Sequence, residues 1–207
     1  RHFLPVKDVK FFIDQMAKYK YNVLQLHLTD DQGWRVAIES HPRLASAQHY
    51  TQDDLREIVR YAAQRHIEVI PEMDIPGHTV AILAAYPELS CSHLKADTVV
   101  VGHTTNRMVC AANTKSYEVL TDVINELAPL FASPYIHLGG DEAAVPANWA
   151  KCADCQTMMR KAGYTEASQL MTPFFDRILA AVRANGKKPI LWCELDNIYP
   201  PAHDYLF

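Results

Sequence analysis

The sequence lacks the features that mark several large classes of protein. It has no dense cluster of lysine and arginine, and its formal net charge is -4, which argues against a nucleic-acid or membrane-surface partner. No uninterrupted apolar run is long enough to cross a bilayer, so we predict no membrane span. The chain opens at Arg1 rather than at a methionine, and the absence of a leader sequence decides nothing about the cellular compartment.

Metal-binding signatures are also scarce among the five cysteines, which are Cys91, Cys110, Cys152, Cys155 and Cys193. Cys152 and Cys155 have the spacing of a redox or zinc half-site, but no second cysteine or histidine pair stands nearby at zinc-finger spacing. We therefore predict no metal and no organic cofactor, and we interpret Cys152 and Cys155 as a local disulfide or two free thiols. Cys91 and Cys110 flank a polar loop and could bridge it in an oxidising compartment.

What the sequence does contain is a regular alternation of helix and strand patterns. Helical periodicity covers residues 6–19, 51–64, 80–85, 115–131 and 165–185, and short apolar strand patterns cover residues 22–28, 68–73, 135–138 and 189–192. Such alternation predicts an α/β protein with a parallel sheet, either a barrel or a doubly wound sheet.

The spacing of the predicted strands bears on the domain organisation. Four strands with the helices and loops between them occupy most of the 207 residues, so a barrel of eight such units needs a much longer chain. We therefore predict that residues 1–207 form a single partial (β/α)8 barrel domain, with the first strand and the later strands missing. An open parallel sheet complete in itself is the alternative.

Polar residues of similar character follow each predicted strand. They are Asp30 and Asp31 after the first, Glu72, Asp74 and His78 after the second, Asp141 and Glu142 after the third, and Trp192 and Glu194 after the last. In a parallel barrel these strand ends converge on one face, where catalytic loops lie. Packed carboxylates raise one another's proton affinity, so this face predicts acid–base work on an oxygen leaving group, with an indole suited to an apolar sugar face.

The adjacent acids Asp141 and Glu142 carry the most information. Neighbours on a regular strand point to opposite faces, so they could not normally share one cavity. Gly139 and Gly140 directly precede them, and glycine tolerates backbone angles closed to other residues. We therefore expect both acids to point into one pocket. An acidic helix N-terminus after a glycine turn is the structural alternative.

Four segments resemble the motifs of one enzyme family. His137–Glu142 (HLGGDE), Glu72–His78 (EMDIPGH), His27–Trp34 (HLTDDQGW) and the opening Arg1–Phe3 (RHF) are similar to segments of the family 20 glycoside hydrolases, the β-N-acetylhexosaminidases. The resemblance implies a (β/α)8 barrel. It places Arg1 after the first strand and Trp192 near the end of the fifth, so the chain would hold about strands 2–5 with their helices.

The resemblance also implies a mechanism. Glu142 would be the general acid that protonates the glycosidic oxygen and later the base that activates water. The substrate's own 2-acetamido carbonyl would attack the anomeric carbon to give an oxazolinium ion, and Asp141 would accept the acetamido N–H. The activity implied is removal of terminal β-linked GlcNAc or GalNAc with retention of configuration. Two neighbours on one loop cannot straddle a sugar across the roughly 5 Å that a conventional retaining pair needs.

Further residues take supporting roles under the same resemblance. An Asp30–His78–Glu142 relay would tune the acid, and Asp74 would be a partner of Asp141. Arg1, Trp192 and Glu194 are the predicted substrate-binding residues, with Arg1 gripping sugar hydroxyls and Trp192 forming one wall of the acetamido pocket. His27 and His137 lie within strands, and we interpret them as core residues.

Three other functions stay open at this point. One is a barrel glycosidase whose carboxylate nucleophile lies on a missing strand. A second is a metal-dependent hydrolase using His27, His78 and His137, although the sequence has no His-x-His pair. The third is a non-catalytic carbohydrate-binding remnant. The expected partner is a glycan or amino-sugar oligosaccharide, the oligomeric state is undecided, and the family and the cysteines suggest an extracytoplasmic location.

Overall fold

Helices and strands alternate along the chain and build one sheet with helices packed against it. The computed structural model describes residues 2–94 and 107–192, so Arg1, Cys193 and Glu194 lie outside the described residues. The strands are β1 (Val23–Asp30), β2 (Gly33–Trp34), β3 (Glu68–Met73), β4 (Tyr135–His137) and β5 (Lys188–Ile190). The helices are α1 (Val6–Lys18), α2 (Gln52–Ala63), α3 (Val80–Ala85), α4 (Thr114–Leu127), α5 (Ala153–Ala162) and α6 (Met171–Ala184).

The strand order distinguishes a barrel from a doubly wound sheet. The sheet runs β2-β1-β3-β4-β5, and β1, β3, β4 and β5 pair in parallel, while the two-residue β2 is antiparallel to β1. The four parallel strands therefore lie across the sheet in the order in which they occur in the chain, as in a (β/α)8 barrel. In a doubly wound sheet this order reverses at one point of the sheet. The predicted α/β barrel class is confirmed.

Local sequence explains where the main elements begin. Thr51 and Asp54 form a reciprocal capping box at the start of α2, as their spacing predicts. The face of α2 that carries Leu55, Ile58 and Ala62 is buried. Burial of this apolar stripe, rather than helix propensity alone, fixes α2 against the sheet.

The predicted elements agree with the structure except at a few boundaries. The helix predicted over residues 165–185 is divided, because Ala167–Leu170 is a 3₁₀ turn and α6 begins at Met171. Pro173 explains this division, since proline is tolerated in the first helical turn but clashes with the preceding turn deeper inside a helix. The last strand ends at Ile190, two residues earlier than predicted. The short β2 and helix α5 were not predicted.

None of the helices within residues 2–94 and 107–192 is both long enough and apolar enough to cross a bilayer.

Candidate active site

The loops that follow the parallel strands enclose a pocket of about 280 Å³. Seven of its lining residues are acids or imidazoles, and the eighth is a tryptophan. We call this set the pocket cluster: His27, Asp30, Glu72, Asp74, His78, Asp141, Glu142 and Trp192. The strand ends therefore converge on one face, as the barrel topology requires.

The Gly139–Gly140 turn sets the direction of the two adjacent acids. Gly139 has a φ of +68° and Gly140 a φ of +104°, so both occupy backbone conformations that favour glycine. A Cβ atom on Gly139 would lie 1.8 Å from Oδ1 of Asp74, so no other residue fits there without displacement. The predicted need for glycine freedom before Asp141 is confirmed.

His78 lies between Asp30 at the end of β1 and the two acids of the loop after β4. Its Nδ1 is 3.1 Å from Oδ1 of Asp30, and its Nε2 is 3.3 Å from Oε2 of Glu142 and 3.8 Å from Oδ2 of Asp141. The hydrogen bond to Asp30 outweighs burial and raises the pKa of His78 to about 9. The imidazole is therefore a cation near neutral pH, and both of its nitrogens are donors.

Both adjacent acids reach this imidazole, although they differ in exposure. The side chain of Asp141 is 24% exposed and that of Glu142 is 66% exposed. Glu142 itself has a φ of +48°, a conformation that an L-residue adopts at a cost. The alternative of an acidic helix N-terminus does not apply, because a turn follows Glu142 and the next α-helix begins at Ala153.

Asp74 lies beneath Asp141 and shares its environment. Carboxylate oxygens of Asp74 and Asp141 and a ring nitrogen of His78 lie within 4.8 Å of one another. Burial, reinforced by the negative charge of Asp141, raises the pKa of Asp74 to about 8. Asp74 is therefore protonated at neutral pH and can donate to a neighbouring carboxylate, while its Oδ1 accepts from the backbone N–H of Gly140 at 3.3 Å.

A second histidine–carboxylate network was missed by the sequence reasoning. His27 was interpreted as a core residue, but its side chain is half-buried and lines the pocket. Its Nδ1 is 2.9 Å from Oε2 of Glu72 and its Nε2 is 3.4 Å from Oδ2 of Asp30. Burial opposes protonation, yet these two contacts raise the pKa of His27 to about 9.

The carboxylates of this network, Asp30 and Glu72, have lowered pKa values because they accept hydrogen bonds. Burial alone would raise the pKa of Asp30, but hydrogen bonds from His27 and His78 hold it well below its usual range. Glu72 is affected in the same direction, since hydrogen bonds from His27 and Gln25 outweigh its burial and lower its pKa. The sequence signal for this network was the alternation of side chains along a strand. Alternate residues point to the same face, so Gln25 and His27 share one face, as do Glu72 and Asp74.

Trp192 forms a wall of the pocket beside the glycine turn, where its backbone N–H donates to the Gly139 carbonyl at 2.9 Å. Its indole is 39% exposed, its Nε1 donates to Oε1 of Glu72 at 3.3 Å, and its ring centroid lies 4.6 Å from that of His137. His137 is buried, as predicted, and its Nδ1 accepts from the backbone N–H of Gly139. The indole is thus held in place while one surface remains open to a ligand.

The structure therefore brings together most of the predicted site residues. Asp30, Asp74, His78, Asp141, Glu142 and Trp192 all line the one pocket. The predicted positions Arg1 and Glu194 lie outside the described residues.

Groups that could hold a metal occur in two places among the described residues. Histidine–carboxylate triads lie within the pocket, but His27 and His78 are held there as protonated donors, whereas a metal ligand must be a neutral imidazole. The second place is a group of four buried cysteines away from the pocket. The structure has these four as free thiols, not as disulfides.

Fold and pocket together define a class of protein. Every member of the pocket cluster except Trp192 is a titratable acid or imidazole, and the pocket lies at the carboxyl ends of parallel barrel strands, which is the arrangement of an α/β barrel whose site is suited to acid–base chemistry.

Comparison with known proteins narrows this class to one family. The model of glycosyl hydrolase family 20, catalytic domain, matches residues 1–205. A β-hexosaminidase of Akkermansia muciniphila is 39% identical over 98% of this chain, and one of Porphyromonas gingivalis is 38% identical over 94%. A crystal structure of a β-N-acetylhexosaminidase superposes over 97% of this chain with a TM-score of 0.90 at 38% identity. The chain belongs to glycosyl hydrolase family 20.

The chain is shorter than these relatives. It spans 44% of the Akkermansia protein, 27% of the Porphyromonas protein and 46% of the matched crystal structure.

Proposed function

We propose that the protein containing this chain is a retaining exo-β-N-acetylhexosaminidase that hydrolyses terminal β-linked GlcNAc or GalNAc with assistance from the substrate's acetamido group. One observation carries the proposal: Asp141 and Glu142, adjacent on a glycine turn, both reach Nε2 of the same imidazole at one wall of the pocket. The names of the relatives and the family membership support the same activity.

The placement of the carboxylates favours a nucleophile that belongs to the substrate. A conventional retaining enzyme needs a carboxylate facing the acid across the sugar at roughly 5 Å. Asp141 and Glu142 approach His78 from the same loop. Asp30 is bound to His78 and Glu72 to His27, so neither faces Glu142 as a free nucleophile. Asp74 is neutral at pH 7 and therefore a poor nucleophile.

Asp141 then has a role that fits its surroundings. Its carboxylate would accept the acetamido N–H, orient the carbonyl oxygen toward the anomeric carbon and stabilise the positive charge of the oxazolinium ion. Asp74, which is protonated at neutral pH, can donate toward Asp141 and leave the rest of that carboxylate for the substrate. Attack within one molecule is efficient because effective molarities reach about 10⁵ to 10⁸ M in well-aligned systems.

Glu142 is the proposed proton donor and later the base for the attacking water. Its exposed side chain lies at the pocket mouth, where the leaving group and water would enter. The imidazolium of His78, anchored by Asp30, fixes the position of Glu142. His78 and Asp30 are therefore positioning residues in this proposal.

The remaining assignments are also proposals. Trp192 would contact the acetamido methyl group, while Arg1 and Glu194 would bind sugar hydroxyls. Residues 1–207 would be one part of a (β/α)8 catalytic domain, and the rest of the whole protein would supply the other strands. The substrate would be a glycan in an extracytoplasmic compartment, and no nucleic-acid partner is expected.

The decisive experiment compares Glu142→Gln and Asp141→Asn in the whole protein. Glu142→Gln should lower kcat/KM by about 10²- to 10⁴-fold on N,N′-diacetylchitobiose, whose leaving group needs protonation, and by less on a 2,4-dinitrophenyl glycoside. Asp141→Asn should slow both substrates. Glu118→Gln, at an exposed position of α4, is the matched control and should leave both rates unchanged.

Hydrolysis, glycan binding and inhibition measurements on the whole protein distinguish the proposal from the alternatives. Wild-type rates for Glu142→Gln on chitobiose would contradict the proposal. Equal turnover of glucosides with and without the 2-acetamido group would favour a conventional nucleophile. Glycan binding without hydrolysis by the whole protein would favour a non-catalytic remnant, and strong inhibition by a thiazoline mimic of the oxazolinium would support substrate assistance.

A further inference from the structure

Four of the five cysteines meet at one point in the folded chain. Cys91, Cys110, Cys152 and Cys155 come from three separate segments, and we call them the cysteine cluster. Each is at most 2% exposed, and the surrounding core is apolar. Their sulfur atoms all lie within 4.8 Å of one another.

The sulfur–sulfur distances match a metal site better than disulfides. Sγ of Cys110 lies 3.5 Å from that of Cys155 and 3.9 Å from that of Cys152. A zinc ion bound at about 2.3 Å to four sulfurs in a tetrahedron separates them by about 3.8 Å. A disulfide would bring two of them to about 2.05 Å and leave the others to pair or remain as thiols.

The backbone around the cysteine cluster suits metal-bound sulfur. Cys152 is the N-cap of α5 and Cys155 lies in its first turn, so both are near the positive end of the helix dipole. The backbone N–H of Ala112 donates to Cys110 and Cys155. Such backbone donors stabilise metal-bound sulfur.

We propose that the cysteine cluster binds one zinc ion as a closed tetrathiolate centre. Four thiolates so close together would repel one another in an apolar core, and a divalent cation removes that repulsion. Four protein ligands complete the tetrahedron and leave no position for water, so the centre is structural rather than catalytic. A pocket of about 410 Å³ reaches Cys91 and Cys110 and gives the ion a path of entry.

The proposed centre would join the α3–α4 connection to the loop after β4, which carries Asp141 and Glu142. Cys91 and Cys110 lie between α3 and α4, and the loop with Asp74 and His78 lies on the other side of α3. Cys152 ends the loop that begins with the Gly139–Gly140 turn. The same loops already meet through two hydrogen bonds, from the Met108 N–H to Asn148 and from the Trp149 indole to the Val109 carbonyl.

The first test measures the metal in the whole protein, purified without chelator or added zinc. We expect one zinc ion per chain by elemental analysis. The protein grown with cobalt should show the intense visible absorption of a tetrahedral cobalt thiolate. The four thiols should resist a thiol reagent until a strong chelator in mild denaturant removes the ion. These measurements need no variant to fold.

The second test uses matched variants. Cys152→Ser and Cys110→Ser should each reduce the zinc content to a small fraction and lower the midpoint of thermal unfolding. Cys193→Ser makes the same replacement at the fifth cysteine, and Val109→Ala removes a buried side chain beside Cys110 without touching a thiol. Both controls should keep one zinc ion per chain, even where Val109→Ala lowers stability.

Two results would overturn the proposal. One is a non-reduced mass four hydrogens lower than the sequence predicts, with no metal bound, because that mass shows two disulfides in the cluster. The other is metal-free protein in which all four thiols react once the chain is unfolded and zinc addition leaves the unfolding midpoint unchanged.

Discussion

The pocket cluster and the cysteine cluster share the loop after β4 but are built in opposite ways. The pocket cluster combines acids and imidazoles around an open cavity, and its turns hold His78 and Glu142 at φ of +50° and +48°. The cysteine cluster contains one kind of side chain, and all four cysteines are buried against the apolar core. The pocket cluster places charged side chains and strained backbone around a cavity that a ligand can enter. The cysteine cluster buries its sulfur atoms away from solvent.

This difference shows which part of the fold stabilises the folded state and which part raises its free energy. A neutral acid buried beside a carboxylate and a left-handed glutamate both raise the free energy of the folded state. Residues that destabilise the fold in this way are found at functional sites, because they are selected for activity rather than for stability. We therefore expect substitutions in the pocket cluster to be able to stabilise the protein, whereas substitutions in the cysteine cluster should only destabilise it.

The largest effect should come from the glycine that allows the pocket cluster to form. Gly139→Ala adds a Cβ atom 1.8 Å from Oδ1 of Asp74 at a φ of +68°, so we expect a loss of about 2–5 kcal/mol in the free energy of unfolding. Asp141 should also move, and hydrolysis should fall in parallel. Urea denaturation and kcat/KM measure the two effects.

Gly163 provides the matched control for this substitution. Its φ is +72°, but a Cβ atom there would meet no other atom within 4 Å. Gly163→Ala should therefore cost only about 1 kcal/mol of left-handed strain and leave hydrolysis unchanged. Equal losses for the two variants would show that the close approach of Gly139 to Asp74 has no energetic consequence.

Much of the fold follows from the sequence because its signals are local. The capping box at Thr51 predicts the start of α2, and the apolar run at residues 68–73 predicts β3 to the residue. The elements that were missed have weak local signals, since β2 contains two residues and α5 opens on a cysteine without a side-chain cap. Their formation depends on contacts with distant segments.

The candidate site was predictable to the extent that its residues are neighbours in the chain. Asp141 and Glu142 follow two glycines, and His78 follows Asp74 in one short segment, so the motifs identify them. The partnership of His27 with Glu72 depends on the register of β1 beside β3, which no local pattern contains.

The cysteine cluster is the extreme case of this limit. Cys91 and Cys110 lie far from Cys152 in sequence, so spacing alone predicted no metal site and suggested a bridge between Cys91 and Cys110. Only the folded loops show that all four sulfurs converge.

A second effect, which grows with pH, should follow from neutralising the buried acid of the pocket cluster. Because the pKa of Asp74 is raised from 3.8 to about 8, the folded state retains a proton that the unfolded chain has lost, and stability falls as pH rises through this window. Asp74→Asn has no such proton. It should therefore gain stability relative to the wild type by on the order of 1 kcal/mol per pH unit between about pH 4 and pH 8.

Thermal unfolding of the two proteins in parallel across that range measures the difference. Asn at this position keeps an oxygen to accept from the Gly140 N–H, so the main change is the loss of the titrating group. A stability difference that does not vary with pH would show that Asp74 is not the proton-binding group of the pocket cluster.

The smallest effect concerns the left-handed glutamate. Glu142→Gly removes the cost of a φ of +48° but increases the freedom of the unfolded chain, so we expect a net gain of about 0.5–1 kcal/mol together with loss of hydrolysis. His66→Gly is the control, because His66 has a φ of +58° in the turn between α2 and β3, away from the pocket. It should give a similar gain with hydrolysis intact. If Glu142→Gly instead lowers the unfolding free energy, the contact of Glu142 with His78 stabilises the fold, and the contrast between a costly pocket cluster and a stabilising cysteine cluster fails at its central residue.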